Sequence, residues 1–273
     1  MKQTIIKVKP ESLYPFPNNP FKAREIDTLC RSIADIGVLV PLLARRLEGG
    51  TLQLVDGHRR RIAAQIAEVE TVPVIVMDLD DDAAAITLVD ANISRRELLP
   101  SERAFALRLK MEAIRHQGVA CGTGCHKSRD EVTDTLMGRQ VSNYIRLTEL
   151  ICDLLQLVDD GAIAMKPAVE LSYLPHRAQR FVLEQISIQQ STPSHAQARR
   201  FRQLLAEGKL TEGVIAQVIA EPKPNQVETI RLPMDRLKDF FPRNYTPKQI
   251  EDKLVQVLEQ WQRQKKARAR DAR

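Results

Sequence analysis

The sequence predicts an α+β protein in three parts: a small α/β unit, an all-helical middle, and a short strand-helix unit at the C-terminus. Three observations carry this. Period-2 and period-3.6 apolar patterns alternate through the first eighty residues. From Ala83 onward nearly every apolar spacing is helical. The stretch Glu221-Pro222-Lys223-Pro224-Asn225 then breaks the pattern as a linker. The expected domains are residues 1–82, 83–220 and 226–273.

In the first unit, residues 5–8 alternate apolar and polar and read as a strand. Tyr14-Pro15-Phe16-Pro17-Asn18-Asn19-Pro20-Phe21 is a proline-broken loop. Ile26, Leu29, Cys30 and Ile33 follow helical spacing, and Gly37 stops that helix. Residues 41–46 and 51–55 read as two strands around Glu48-Gly49-Gly50, a hairpin signal. A helix carrying Ile62, Ala63 and Ile66 follows, then a strand at 72–77. The acidic run from Asp78 to Asp82 closes the unit.

In the helical part, Asp82 is placed to cap a helix with Ile86, Leu88 and Val89, and Pro100 suits a first helical position. Ala104, Leu107, Met111 and Ile114 share a face, and Gly118 is expected to end that helix. Ser128-Arg129-Asp130-Glu131 is a capping box for a short helix through Leu136. A second helix runs over 139–147. Leu147, Leu150, Ile151, Leu154, Leu155 and Val158 form one strong stripe, with further helices at 168–174 and 176–188 and after Ser194 and Thr211. Past the linker, residues 227–232 read as a strand and 234–241 as a short helix. Thr246-Pro247-Lys248-Gln249 caps an amphipathic helix with Ile250, Leu254, Val257, Leu258 and Trp261 on one face. A strand plus one helix is too small to bury itself well, so dimerisation is expected of this piece.

Composition narrows the function classes. The 273 residues carry a net charge of +6, which suggests an acidic partner without choosing one. No apolar run approaches the ~20 residues of a membrane span, and the N-terminus has no signal-peptide core, so a cytoplasmic protein without a membrane partner is expected. Cys30 and Cys152 fall on apolar helix faces and read as core thiols. Cys121, Cys125 and His126 form at best half a metal site, and the plainer reading is a glycine-rich connector. His116, His176 and His195 lack partners at ligand spacing and read as surface residues.

Two constellations carry chemistry. In Leu54-Val55-Asp56-Gly57-His58-Arg59-Arg60-Arg61, an apolar run turns through a glycine into a helix opened by three arginines. Such a turn aims several backbone N–H groups at one point, and guanidinium groups reinforce the field, which describes a phosphate-binding corner. The alternative is a basic first turn on a solvated helix. The second constellation is the helix pair around Met137-Gly138, a helix-turn-helix pattern near 128–147. Ser128 opens it, and Arg139, Gln140, Ser142, Asn143 and Arg146 would be polar side chains suited to phosphate and base-edge contacts. An ordinary helical hairpin fits the same pattern.

The order of these parts resembles the ParB partition-protein family, especially its plasmid and mobile-element members. The resemblance rests on the Asn-Pro loop, the glycine-ended helix, Gly57-His58-Arg59-Arg60, and Arg95-Arg96-Glu97-Leu98-Leu99-Pro100-Ser101-Glu102. Tyr144-Ile145-Arg146-Leu147-Thr148-Glu149-Leu150 and Tyr245-Thr246-Pro247-Lys248-Gln249-Ile250-Glu251-Asp252 extend it. It implies an N-terminal domain with the sulfiredoxin fold that binds CTP with Mg2+, and a helix-turn-helix that reads a palindromic duplex. It further implies a homodimeric clamp, a Walker-type ATPase partner, and association with a nucleoid or plasmid. By that resemblance Gly57, His58, Arg59 and Arg60 would hold the triphosphate. Gly37 and Pro41 would lie beside the base and ribose. Asn92 and Arg95 would serve nucleotide and metal.

Two departures from the family pattern matter. Ala91 stands where the family has a glutamate for metal and hydrolysis, and Ser94 stands where it has glutamine. Alanine neither coordinates magnesium nor polarises water, so CTP is expected to be bound weakly or without efficient hydrolysis. The stretch between Leu136 and Val141 is about two residues shorter than is usual in the family, which bears on DNA specificity more than on phosphate affinity. A transcriptional regulator with the same reader is one alternative. A nuclease of the same fold, using the carboxylates of Asp78 to Asp82, is another.

Overall fold

Glycine and apolar spacing set the topology of the first ninety residues. A computed structural model of the chain describes residues 5–94, 98–120, 138–221, 240, 249–250, 253–258 and 260–261. The chain divides into a compact unit through Glu221 and a second unit from Pro222.

The sheet has five strands in the order β1-β5-β3-β4-β2. β3 (Leu42–Arg46) and β4 (Leu52–Asp56) are antiparallel. Their turn carries Gly49 and Gly50 at positive φ and closes with Leu47 N–H on the Thr51 carbonyl at 2.8 Å. β5 (Val72–Met77) runs parallel to β3, which requires a crossover, and α2 (His58–Ile66) supplies it. β1 (Ile5–Val8) closes one edge antiparallel to β5. The other edge is β2 (Leu13–Tyr14), parallel to β4; it lies in the stretch expected to be loop. A two-residue strand before a proline has too little sequence to show a period.

β4 is buried along most of its length because both faces of the sheet are covered. Leu52 and Leu54 join Leu42, Ala63 and Val74 beneath α1 (Asp27–Ile36) and α2. Val55, on the opposite face, packs with Phe16, Ala84 and Leu88 of α3 (Asp81–Ile93). Thus α3 begins near residue 82 yet packs on the sheet. Its cap is Asp80, whose Oδ1 accepts from Ala83 N–H at 2.7 Å, and not Asp82 as the sequence suggested; Asp82 lies inside the first turn.

α4 (Pro100–Ala120) starts at its proline and packs along α3, with Lys110 Nζ on Asp90 Oδ1 at 2.5 Å. It runs through Gly118 instead of stopping there. The expected helix ending at Leu136 and the Cys121, Cys125 and His126 group lie outside the described residues. The stripe from Leu147 to Val158 belongs to two helices, α5 (Gly138–Leu147) and α6 (Cys152–Asp159). The turn between them is stabilised by Gln179, whose fully buried amide accepts from Ile151 N–H and donates to the carbonyls of Glu149 and Leu174. Cys152 is exposed, because the break turns it away from the core; Cys30 is partly buried, as expected.

Four further helices complete the unit: α7 (Met165–Leu171), α8 (His176–Gln189), α9 (His195–Ala206) and α10 (Glu212–Ala220). Ser194 and Thr211 cap the last two through their side-chain oxygens. Leu154, Leu171, Val182, Phe201 and Ile215 centre the shared core. In the second unit the described residues are mainly helical, and Val255, Val257, Leu258 and Trp261 are exposed. The expected strand at 227–232 and the helix at 234–241 fall outside the described residues, save Phe240.

Candidate functional site

Gly57 makes the corner. It takes φ +98° between β4 and α2, and an added Cβ would lie 2.9 Å from Leu42 Cγ. The first N–H groups of α2 have no acceptor within the helix, so its N-terminus presents donors and positive potential. Arg59 and Arg60 line an open cleft of about 440 Å³ with Thr28, Leu29 and Ser32 of α1. Two arginines and two hydroxyls beside a helix N-terminus suit an anion with several oxygens.

Both arginines already hold the loops that flank α1. Arg59 Nη2 donates to the Glu25 carbonyl at 2.9 Å, where Glu25 itself has positive φ. Arg60 Nη1 donates to the carbonyls of Val40 and Pro41 at 2.7 and 2.8 Å, and its Nη2 meets Asp56 Oδ2 at 2.9 Å. Arg61 Nε donates to the Pro10 carbonyl at 3.0 Å. The corner therefore ties together segments far apart in sequence. Gly37 ends α1 at φ +72° and opens the loop whose far end, Pro41, is held by Arg60. Thr28 and Ser32 were missed by sequence reasoning. They sit on the polar face of α1, and only the packing of α1 on α2 reveals their place.

His58 also holds a loop. Its Nε2 accepts the Phe16 N–H at 3.3 Å, so the ring anchors the N-terminal loop. Asn92 is 4% exposed, and its Nδ2 donates to the Leu88 carbonyl at 2.8 Å, because it lies on the packed side of α3. Arg95 lies outside the described residues.

Among the described residues, positions 90–92 offer a magnesium ion few donors. Ala91 is exposed and has no side-chain oxygen to offer, and Asp90 is paired with Lys110, which leaves Asn92 Oδ1, since only the Nδ2 of that amide is spent on the Leu88 carbonyl. No group of three His, Cys, Asp or Glu suited to a metal occurs among the described residues. In the acidic run that the nuclease alternative would use, three carboxylates have structural tasks. Asp80 caps α3, Asp81 pairs with buried Arg45 at 2.5 Å, and Asp82 lies 3.2 Å from His116.

The second site is α5. Arg139 and Gln140 are exposed, and Asn143 is partly so. With Ser142 and Arg146 they fall on one polar arc, opposite buried Val141 and the packed Tyr144 and Ile145. Ser142 Oγ bonds back to the Gly138 carbonyl at 3.0 Å. Arg146 is more than a surface charge. Its guanidinium lies 4.1 Å from the Tyr173 ring centroid, and its Nη2 donates to the Ser172 carbonyl at 2.9 Å. Ser128 lies outside the described residues.

Between the N-terminal half and the helices stands a buried clasp. Glu102, 4% exposed, accepts from Lys22 N–H at 2.9 Å, from Leu99 N–H at 3.1 Å, and from the Arg24 guanidinium. The next helix in is joined through Ser101, whose N–H and Oγ meet the two Asp159 oxygens at 2.9 and 2.5 Å.

Residues 1–93 match the ParB N-terminal domain family. A probable chromosome 1-partitioning protein ParB of Deinococcus radiodurans is 32% identical over 171 residues, covering 62% of this chain. The match spans 55% of that protein, little more than half its length. A nucleoid occlusion protein of Listeria innocua is 26% identical over 243 residues, covering 86% of this chain and 80% of the relative. Among solved structures, C-terminally truncated ParB from Caulobacter crescentus complexed to the centromeric parS site has a TM-score of 0.44 at 21% identity, over 78% of this chain and 98% of that one. The same protein complexed with CTP-gamma-S has a TM-score of 0.32 at 27% identity, over 63% and 94%. Residues 1–93 of this chain are thus a ParB N-terminal domain by similarity, about a third of its length.

Proposed function

We propose that this protein is a DNA-binding partition or nucleoid-occlusion factor whose DNA engagement responds to a nucleoside triphosphate, with CTP the first candidate. The observation that carries the reading is the corner at Gly57, where Arg59 and Arg60 meet the N-terminus of α2 across the cleft from α1. A triphosphate there would accept from Arg59, Arg60, Thr28 and Ser32. The two arginines would exchange backbone carbonyls for phosphate oxygens, and charge-assisted bonds favour that exchange. The loops at Glu25 and at Val40-Pro41 would then lose their tethers. Binding would in this way be coupled to the position of α1.

Hydrolysis is a separate matter. Position 91 is alanine and Asp90 is held by Lys110, so neither offers a free carboxylate to orient water, and turnover is slow or absent. α5 is the reader of a palindromic duplex, through Arg139, Gln140, Ser142, Asn143 and Arg146. A palindrome calls for a homodimer, which closes as a clamp. A Walker-type ATPase is the partner expected to move the complex, and a nucleoid or plasmid is its location.

Binding of labelled CTP and ATP, with and without a DNA library, followed by sequencing of retained DNA, tests this. The expected result is CTP binding strengthened by one palindromic sequence, with little CDP released. Arg59→Ala should lower nucleotide affinity by tenfold or more and leave DNA binding without nucleotide intact. Nucleotide affinity unchanged in that variant would remove the corner from the proposal. DNA retained without sequence preference or nucleotide response would leave only a general DNA-coating protein.

A further inference from the structure

We infer that the cleft bounded by α4, α5 and the segment after α7 is a phosphate seat, gripping the DNA backbone beside the reader helix. The inference rests on the reading of α5 as a DNA reader. The cleft holds about 430 Å³ and is lined by Arg108, Arg115, Ser142, Arg146, Glu149 and Tyr173, among others. Three arginines from two helices thus converge on one open hollow.

Their partners differ, and the difference assigns roles. Arg108 is partly neutralised: it meets Glu112 at 2.9 Å, Thr148 Oγ1 at 3.0 Å and Glu149 at 3.4 Å. Arg146 is held still by the Ser172 carbonyl and by the face of Tyr173. Arg202 also lies over that ring, 3.8 Å from the centroid, and Glu170 pairs with Arg202 at 3.2 Å. The ring and the Ser172 carbonyl hold Arg146 in place before any ligand arrives, so less side-chain freedom is lost on binding. Arg115 is exposed and has no ion pair or hydrogen bond among the described residues. It is the charge left to be matched.

Position supplies the rest. Ser142 and Arg146 belong both to the polar arc of α5 and to the cleft wall. A duplex lying on that arc brings its backbone to the α4 side, where Arg115 waits. A tetrahedral phosphate bridges a fixed guanidinium and an exposed one. Such a contact fixes register and adds affinity without reading a base.

The test uses the full chain and two labelled duplexes, the palindrome retained in selection and a scrambled one, titrated at several salt concentrations. Arg115→Ala should weaken both duplexes about equally and lower the slope of log affinity against log salt by about 1. Base preference should stay unchanged. Arg115→Glu should weaken both further. Arg177→Ala is the control: it removes the same charge from α8, beside a different cleft, and should leave the slope unaltered. A wild-type slope in both Arg115 variants overturns the phosphate seat and leaves the α5 reading standing. So does an equal loss in the Arg177 variant. A wild-type chain that binds neither duplex overturns both.

Discussion

At Gly57 the backbone adopts φ +98°, and the space where a side chain would begin is occupied by Leu42. Gly57→Ala therefore combines left-handed strain with a 2.9 Å contact, at a cost of about 1–3 kcal/mol. Its second effect is local: relief of the contact shifts the first turn of α2, so Arg60 loses its place between Asp56 and the 40–41 carbonyls. A urea midpoint lowered accordingly, together with weakened nucleotide binding, is the expected outcome. A loss of stability with unchanged binding would separate the turn from the corner. Gly57, Arg59 and Arg60 were legible because the corner is built within four consecutive residues. What Arg59 and His58 do was not, since their partners Glu25 and Phe16 lie 34 and 42 residues away in sequence. Asn92 shows the converse. Its place in a family pattern suggests a ligand, and the bond of its Nδ2 to the Leu88 carbonyl, which fixes that side chain, is a matter of helix packing that the pattern does not show.

Among the elements, α4 has the largest structural consequence, because its first turn faces both halves of the compact unit. Glu102 holds the 22–24 segment, Ser101 holds α6 through Asp159, and Lys110 holds α3. Glu102→Ala leaves the Lys22 and Leu99 N–H groups without their acceptor, while Arg24, 42% exposed, turns to water. The expected loss is about 1–3 kcal/mol, read from thermal or denaturant unfolding. Glu102→Gln keeps one carbonyl oxygen and should lie between wild type and alanine. Equal stability of all three chains would show that the clasp contributes nothing net. Helix starts at Pro100, Ser194 and Thr211 were readable because caps are local chemistry. The break between α5 and α6 was not, because the apolar stripe is continuous across it and the turn is secured by Gln179 from a distant helix. β2 escaped for a different reason: its pairing with β4 is a property of the sheet, not of Leu13-Tyr14 alone.

For the whole molecule, the division after Glu221 separates two kinds of surface. The unit through Glu221 buries its own core, with Phe201, Ile215 and Val218 nearly inaccessible. The described helical residues of the second unit leave Val257, Leu258 and Trp261 largely exposed, at the i, i+1 and i+4 positions of one face. An exposed apolar stripe of that kind is stable when a second stripe covers it, and an identical copy offers a matching one. A chain ending at Glu221 should therefore unfold cooperatively within a few degrees of the full protein yet sediment as a monomer, while the full chain sediments as a dimer. Leu258→Glu in the full chain should dissociate the dimer without lowering the melting of the first unit, since a charge on the stripe opposes its own copy. Affinity for a palindrome should fall steeply in both monomeric forms, because two half-sites then bind independently, whereas nucleotide affinity at Arg59 should not change. If the shortened chain remained a dimer, the contact would have to lie in the first unit, and the exposed stripe would need another partner.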